Sequence, residues 1–512
     1  MPIDDLKNTE GFYELSQFTI DEKSVQLLDY KFCMQNFVVV LDIVDPSGQE
    51  SISVGMLDTE EIQLIGEIEK ILQRPIQPVR LNGYEIKKAI DIGYAHYEIH
   101  HEKLKLSLLP IQELSFDPDL SVAQRINDIL GRAITLKASD VHIECFEGDV
   151  DVRFRIDGIL HQINTSIHKD NIANIISRLK ILYYLDISER RAAQDGRIYA
   201  TFEANKEARP IDFRLSILPG PFGEDAVLRV LDSEKPSIGL EELGFSEQIL
   251  GQFQAMVKNP EGMILVTGPS GCGKTTTLYA GLGEVKSEQV KILTVEDPIE
   301  YVIPKVNQKQ VGARMNFADY ARAFLRQDPD IMLIGEIRDD ETAGVALRAA
   351  QTGHLVLGTL HTNDSVGTVS RLKVLGINPA LLSDSLLCSL SQRLVRKVCQ
   401  YCKVEEKQDS FSKEIFKCLK HSFSLFHGQG CEKCRRTGYY GRIGIFELFV
   451  NNQEVADMIS ADAPDYKIRQ FVRQQGMSSM FDDALSKIKA GITTFDELRR
   501  TVPYQIINEP LI

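Results

Sequence analysis

The eight residues Gly268-Pro-Ser-Gly-Cys-Gly-Lys-Thr275 constrain this chain more tightly than any other stretch. They fit the pattern GxxxxGK[ST], which carries physical meaning when a strand precedes it and a helix follows. Both neighbours are predicted here. Met263-Ile-Leu-Val266 reads as a short buried strand, and Thr275-Thr-Thr-Leu-Tyr-Ala280 reads as a helix start. In that setting Gly268, Pro269, Ser270, Gly271, Cys272 and Gly273 close backbone N–H groups on phosphate oxygens, and the helix N-terminus adds positive potential. Lys274 would reach the β- and γ-phosphates, the Thr275 hydroxyl would ligate Mg²⁺, and Thr276 completes the nucleotide-binding set. A chance glycine-rich turn would lack the flanking strand and helix.

A second pattern points to metal. Cys399-x-x-Cys402 and Cys431-x-x-Cys434 account for four of the nine cysteines, and the other five are scattered singly. Each CxxC folds as a knuckle offering two thiolates, so two of them suit tetrahedral Zn²⁺ in a closed, structural site. The chain reads as cytosolic, which argues against a disulfide framework. Met1-Pro-Ile-Asp-Asp-Leu6 has neither a basic nor an apolar signal region, and no apolar run approaches the length of a membrane span. A net charge of −15 speaks against a protein that coats nucleic acid.

The 512 residues, 43% of them apolar, can build several cores. Residues 1–117 read as a small α/β module plus linker. It opens with a hairpin over 36–56 that turns at Asp45-Pro-Ser-Gly48. A helix follows, capped by Asp58 with Glu61 and apolar at Ile65, Ile68, Ile71 and Leu72. Ile76 and Val79 lie in an extended segment broken by proline, Glu85–Ile92 returns to helix, and Pro110–Asp119 reads as linker. Residues 118–232 form a second α/β domain, with a helix over Val122–Ala138 and strands at Val141–Ile143 and Val150–Ile156. A hinge at 233–244 leads to a nucleotide-binding domain over 245–396. The cysteine knuckles occupy 397–440, and 441–512 reads as a helical end.

Within the nucleotide domain, Asp330-Ile-Met-Leu-Ile-Gly-Glu336 is an apolar strand delivering Glu336 toward Mg²⁺. Ile292-Leu-Thr-Val-Glu-Asp-Pro-Ile-Glu300 ends in Glu296, Asp297 and Glu300. ATP hydrolysis needs a carboxylate to orient or deprotonate water besides the one at the metal. His354 and His361 flank the strand Leu355–Thr359. Either histidine serves packing, or the two sense the γ-phosphate.

Taken together, GPSGCGKTTTLY, ILTVEDPIEY, FLRQDPDIMLIGEIRD, TGHLVLGTLHTN and the two CxxC pairs resemble the secretion ATPase superfamily, in particular the type II secretion and type IV pilus assembly ATPases. Upstream, Ala138–Glu144, Val152–Gly158, Gln194–Arg197 and Asp212–Arg214 are similar to the companion domain of those proteins. The resemblance implies an α/β fold: a RecA-like P-loop NTPase domain preceded by a PAS-like domain and a small N-terminal module, with a zinc-knuckle insertion and a helical C-terminal region. It implies ATP as substrate, Glu336 at the metal, Glu300 activating water and His361 in the catalytic set. Arg197, Arg214, Arg322 and Arg326 match arginines that approach phosphates, although any single arginine also reads as a surface ion pair.

Family members work as hexameric rings in which ATP closes the hinge between two domains. The resemblance therefore implies a homohexamer on the cytoplasmic side of an inner membrane. Its partners would be a membrane platform protein and the cytoplasmic part of a bitopic secretion protein, and it would touch the membrane only through them. The knuckles favour fibre assembly over retraction, and one N-terminal module favours type II secretion over pilus assembly. Two other classes stand beside this one: a DNA-uptake motor, which the acidic total argues against, and a nucleotide-gated scaffold, which Glu300 and Glu336 argue against. Cys272 replaces the family's usual serine. Its place at a helix N-terminus beside Lys274 would lower its pKa and sensitise the site to thiol reagents, whereas burial would leave it inert.

Overall fold

The computed structural model describes residues 13, 15, 18, 22–29, 32, 33, 36–41, 52–83, 85, 86, 89, 90, 104–107, 121–204, 207–232, 238–312, 314–419, 422–503 and 506. The expected turn at 45–48 and linker at 110–119 lie outside them, as do 87, 88, 91 and 92 of the expected helix and 233–237 of the hinge. No helix among the described residues is long and apolar enough to cross a membrane.

The first module is a three-stranded sheet. Val38–Val40 pairs antiparallel with Ile52–Met56, and Ile76–Arg80 adds parallel at the edge, where Pro78 removes no needed ladder donor. The helix beside it starts at Ile62, later than the sequence suggested, and its N-cap Glu61 makes no side-chain cap bond. Asp58 instead accepts from the Glu60 N–H in a local turn. Leu64 and Ile68 face the core, Ile65 and Leu72 pack partly buried against it, and Ile71 is exposed.

The second domain is a seven-stranded sheet in the order Leu104–Ser107, Gln194–Ala204, Glu207–Gly220, Gly223–Asp232, Asp140–Cys145, Val150–Ile156, Ile159–Gln162. Strand Leu104–Ser107, expected in the first module and its linker, joins this sheet at its edge. Period-two alternation places Phe154, Phe213 and Leu228 on one face, covered by helices Val122–Thr135 and Ile172–Leu182 through Ile129, Ala133, Ile175 and Leu179. The first of these helices stops three residues before Ala138, since Lys137 takes a left-handed φ of 55°.

The nucleotide domain is a sheet ordered Asn307–Gln310, Ile292–Glu296, Ile331–Ile334, Leu355–Leu360, Gly262–Thr267, Leu386–Val398, Tyr439–Val450. Six strands are parallel and the last is antiparallel. Its inner strands are fully buried, as parallel strands covered on both faces must be. Residues 441–450 therefore belong to this sheet, and the helical end begins only at Gln453. The knuckles are an excursion between its last two strands. Part of the expected hinge is also built in: Leu240 in the 3-10 turn Leu240–Leu243 is fully buried against the nucleotide-domain core.

Candidate nucleotide site and tetracysteine centre

Strands Gly262–Thr267, Ile331–Ile334 and Leu355–Leu360 end on one edge of the parallel sheet, where such folds collect ligands. After the first of them the backbone needs glycine. Gly268, Gly271 and Gly273 have φ of 145°, 75° and 90°. A Cβ on Gly268 would also meet the Gln392 carbonyl oxygen at 2.5 Å. Helix Lys274–Val285 starts at Gly273 without a side-chain cap, so its first N–H groups face the loop free for an anion. Lys274 Nζ folds over the loop, donating to the carbonyls of Gly268 at 2.9 Å and Pro269 at 3.1 Å. Burial draws its pKa down, and the Glu336 carboxylate opposes that.

Glu336 and His361 meet at this corner. His361 Nε2 lies 3.6 Å from one Glu336 oxygen, and the exposed Arg338 pairs with the other at 2.5 Å. Burial and then Lys274 push the His361 pKa below the usual range, with Glu336 pulling back. Glu300 is exposed beyond the end of strand Ile292–Glu296. Burial raises the pKa of both Tyr279 and Glu296, and the Glu300 charge adds to it. Glu296 itself is 3% exposed and accepts from the Tyr279 hydroxyl, from Thr294 at 2.6 Å and from Gln308 at 3.1 Å. A carboxylate so enclosed holds the loop that carries Glu300 and has no open side for water.

Other expected residues sit elsewhere. His354 precedes the strand that His361 follows, with Nδ1 2.9 Å from the Ala349 carbonyl oxygen. Six residues at about 3.3 Å each separate it by roughly 20 Å from the phosphate loop of its own chain. Arg322 is held by Asp319 at 2.7 Å and Glu341 at 2.5 Å, and Arg326 donates to the Arg322 carbonyl at 3.4 Å. For Arg322 the surface ion pair is the reading this geometry supports. Cys272 is 4% exposed, and its burial raises the thiol pKa despite Lys274 and Arg393, contrary to the lowered value expected from its place in the loop.

Arg197 and Arg214 are direct cross-strand neighbours in the second domain. They belong to a row running Arg197, Arg214, Arg229, Asp140, Arg155 across five strands of one sheet face. Asp212 holds Arg197 at 2.6 Å, and Asp140 accepts from Arg229 at 3.2 Å. Arg214, between two other arginines, keeps a buried Nε with no acceptor among the described residues.

Sequence reading missed the supports. Gln392 Nε2 donates to the Cys272 carbonyl at 2.6 Å and its Oε1 accepts from Thr277 at 2.7 Å, clamping the loop from behind. Thr267 Oγ1 accepts from the Thr362 N–H at 2.8 Å. The Ser-Gln-Arg-Leu run carries no motif spacing, so only its neighbouring strand reveals this role. Asp157, at the tip of the tight turn joining Val150–Ile156 to Ile159–Gln162, accepts from the Gly441 N–H at 3.0 Å and lies 3.9 Å from Arg442. Asp157 and Arg442 line a cavity of about 310 Å³ together with Gly273, Thr276, Leu243 and Phe446. That cavity abuts the phosphate loop and offers apolar walls, as a nucleoside needs.

The four cysteines converge. Their sulfurs lie within 4.8 Å of one another, with Cys399–Cys431 at 3.9 Å, Cys402–Cys434 at 3.8 Å and Cys431–Cys434 at 3.7 Å. A tetrahedron with Zn–S of about 2.3 Å has edges of about 3.8 Å, so the donor set fits Zn²⁺. Gly430, with φ of 96°, lets the Arg436 carbonyl approach to where a Cβ would be 2.7 Å away. That contact closes the second knuckle.

Residues 117–500 match the type II/IV secretion system protein family, and residues 11–96 match the MshEN domain. The chain is 38% identical over 498 residues to the type II secretion system ATPase E of Vibrio cholerae, covering 94% of this chain and 97% of the relative. It is 37% identical over 502 residues to the type IV pilus assembly ATPase PilB of Myxococcus xanthus, covering 94% and 87%. The X-ray structure of the Legionella pneumophila ATPase DotB superposes with a TM-score of 0.56 at 22% identity over 75% of this chain and 98% of that one, a likeness of fold.

Proposed function

Because this chain belongs to the type II/IV secretion system protein family, we propose that it hydrolyses ATP to drive assembly of a pilin-like fibre and protein export through a type II secretion system. Type IV pilus assembly is the second reading, favoured by a relative of that name that is similar over nearly the whole chain. The observation carrying the ATPase reading is the meeting of Lys274, Glu336 and His361 at the strand ends, beside a loop whose glycines leave room for phosphate.

In this reading the backbone of Gly268–Gly273 and the Lys274 ammonium hold the β- and γ-phosphates. Thr275 and Glu336 would hold Mg²⁺, which when bound would supply charge neutralisation on those oxygens. Glu300 takes a proton from the attacking water, whose oxygen bonds the γ-phosphorus as the bond to ADP breaks. Arg214, and Arg197 once released from Asp212, stabilise the transferring group when the second domain closes on the site. His361 hydrogen-bonds Glu336 or the γ-phosphate. The cysteine centre would hold Zn²⁺ in a structural role, since all four ligands come from protein.

Charge supplied from a second domain suits a ring. We place the protein as a homohexamer on the cytoplasmic face of the inner membrane, docked through a platform protein and the cytoplasmic part of a bitopic protein, with no direct nucleic-acid contact. The test is ATP turnover of the purified protein against its own concentration, with and without DNA, beside deletion of its gene. Turnover that rises with concentration, ignores DNA and accompanies loss of exported enzymes supports the reading. Loss of surface pili with export intact selects the second reading, and turnover that requires DNA overturns both.

A further inference from the structure

Arg393 is 4% exposed, and arginine is almost never so buried without an opposite charge. Its guanidinium donates to two backbone carbonyls, from Nη1 to Gln392 at 3.0 Å and from Nη2 to Asn363 at 2.9 Å. Among the described residues no carboxylate lies within ion-pair distance of it. The acids whose charge reaches it, Glu447 and Asp364, are held by Arg473 at 2.9 Å and Arg469 at 2.8 Å. Two carbonyl dipoles replace only part of a guanidinium's hydration, so this charge carries a standing cost in the folded chain.

Its location explains why such a cost could be kept. A Cβ on Gly268 would stand 3.1 Å from Nη1, so the guanidinium lies directly behind the first glycine of the phosphate loop. Its other arm holds Asn363, two residues beyond His361, and Thr362 between them is tied to Thr267 at the loop's entrance. One buried cation thus joins the back of the phosphate loop to the segment that carries His361.

We propose that Arg393 is a positioning residue for the nucleotide: its buried charge is balanced by the polyphosphate across the loop, and its two-armed grip passes loop occupancy to the His361–Asn363 segment. This rests on the reading of Gly268–Thr275 as the nucleotide loop. A residue serving packing alone would be replaceable by any side chain of similar volume. An electrostatic role requires the charge, and the grip requires two arms.

The test compares Arg393→Met, Arg393→Lys and Lys274→Ala in the full-length protein. It measures affinity for ADP and a non-hydrolysable ATP analogue, the thermal midpoint with and without each, and kcat and KM. Arg393→Met should fold without nucleotide and lose about tenfold or more in affinity for the triphosphate, less for ADP, with a smaller nucleotide-induced rise in midpoint. Arg393→Lys should recover most of the affinity but not kcat, because one ammonium cannot hold both carbonyls. The proposal is overturned if Arg393→Met binds the triphosphate within about twofold of wild type while Lys274→Ala does not. Should Arg393→Met fail to fold, a lysine variant with wild-type kcat overturns it equally. Unchanged binding by Lys274→Ala would remove the nucleotide reading beneath it.

Discussion

Single residues decide the chemistry proposed at the strand ends. Glu336→Gln and Glu300→Gln should each lower turnover by about two or more orders of magnitude while nucleotide still binds, and Lys274→Ala should lose affinity as well. Glu296→Gln separates position from chemistry. Its carboxylate is enclosed by Tyr279, Thr294 and Gln308, so the variant should lose thermal stability and only part of its turnover. Wild-type turnover in Glu300→Gln would assign water activation to another residue. At Cys272 the structure sides with the burial reading and against the lowered thiol pKa. Burial pushes its thiol above the ordinary value of 9.0, so the reactive thiolate should accumulate only in alkaline solution. Alkylation at neutral pH should therefore leave ATP turnover intact for the time needed to label the half-buried Cys145, Cys402 and Cys431. Rapid loss of turnover that Cys272→Ser prevents would show that the loop opens enough to undo that burial.

At the scale of elements, the knuckles hang from two strands that need no metal. Leu386–Val398 and Tyr439–Val450 pair from Cys388↔Val450 to Val398↔Tyr439, so the ladder stands whether or not the excursion between them is folded. Chelation should remove about one Zn²⁺ per chain and raise amide exchange over 399–438, leaving exchange in Gly262–Thr267 and Leu355–Leu360 unchanged. Protein purified without chelator yet free of zinc would end the metal assignment. The second domain's sheet holds the complementary device. Arg197 is neutralised by Asp212, whereas Arg214 has a buried Nε without an acceptor among the described residues, so the two arginines should not be equivalent. Arg214→Gln should lower kcat more than ADP affinity and leave stability nearly unchanged. Arg197→Gln should also destabilise the domain, because it strands the buried Asp212 carboxylate.

For the molecule as a whole, Asp157 is one point where the second domain grips the nucleotide domain. Its carboxylate takes the Gly441 N–H and faces Arg442, at the start of the strand that completes the nucleotide sheet and beside the cavity abutting the phosphate loop. Asp157→Ala should leave both domains folded and loosen their relation, seen as a larger radius of gyration by small-angle scattering and a weaker dependence of that radius on nucleotide. An unchanged scattering curve would place the grip elsewhere.

How much of this was legible follows from the range of the interactions involved. The phosphate loop, the strand that leads to Glu336 and the paired CxxC knuckles were readable because each is set by backbone conformation and ligand type over a few adjacent residues. The acids after Val295 were found but not ranked, since burial of Glu296 against Tyr279 and Gln308 joins three separated segments. The domain limits moved for the same reason. Strand Leu104–Ser107 takes its place from partners 96 residues away along the chain, and residues 442–450 from partners 46 to 62 away, and no local pattern records a partner. Arg393 and Gln392 lie in a plain strand, and the arginine row becomes visible only when five strands are in register. By itself the sequence determined which loop can hold phosphate, which acids can follow it and which thiols can share a metal, because these depend on short-range geometry. Tertiary structure alone decided which acid stays open to water, that Arg214 keeps a buried Nε without an acceptor among the described residues and which buried cation stands behind the loop, because burial and charge balance are properties of the packed chain.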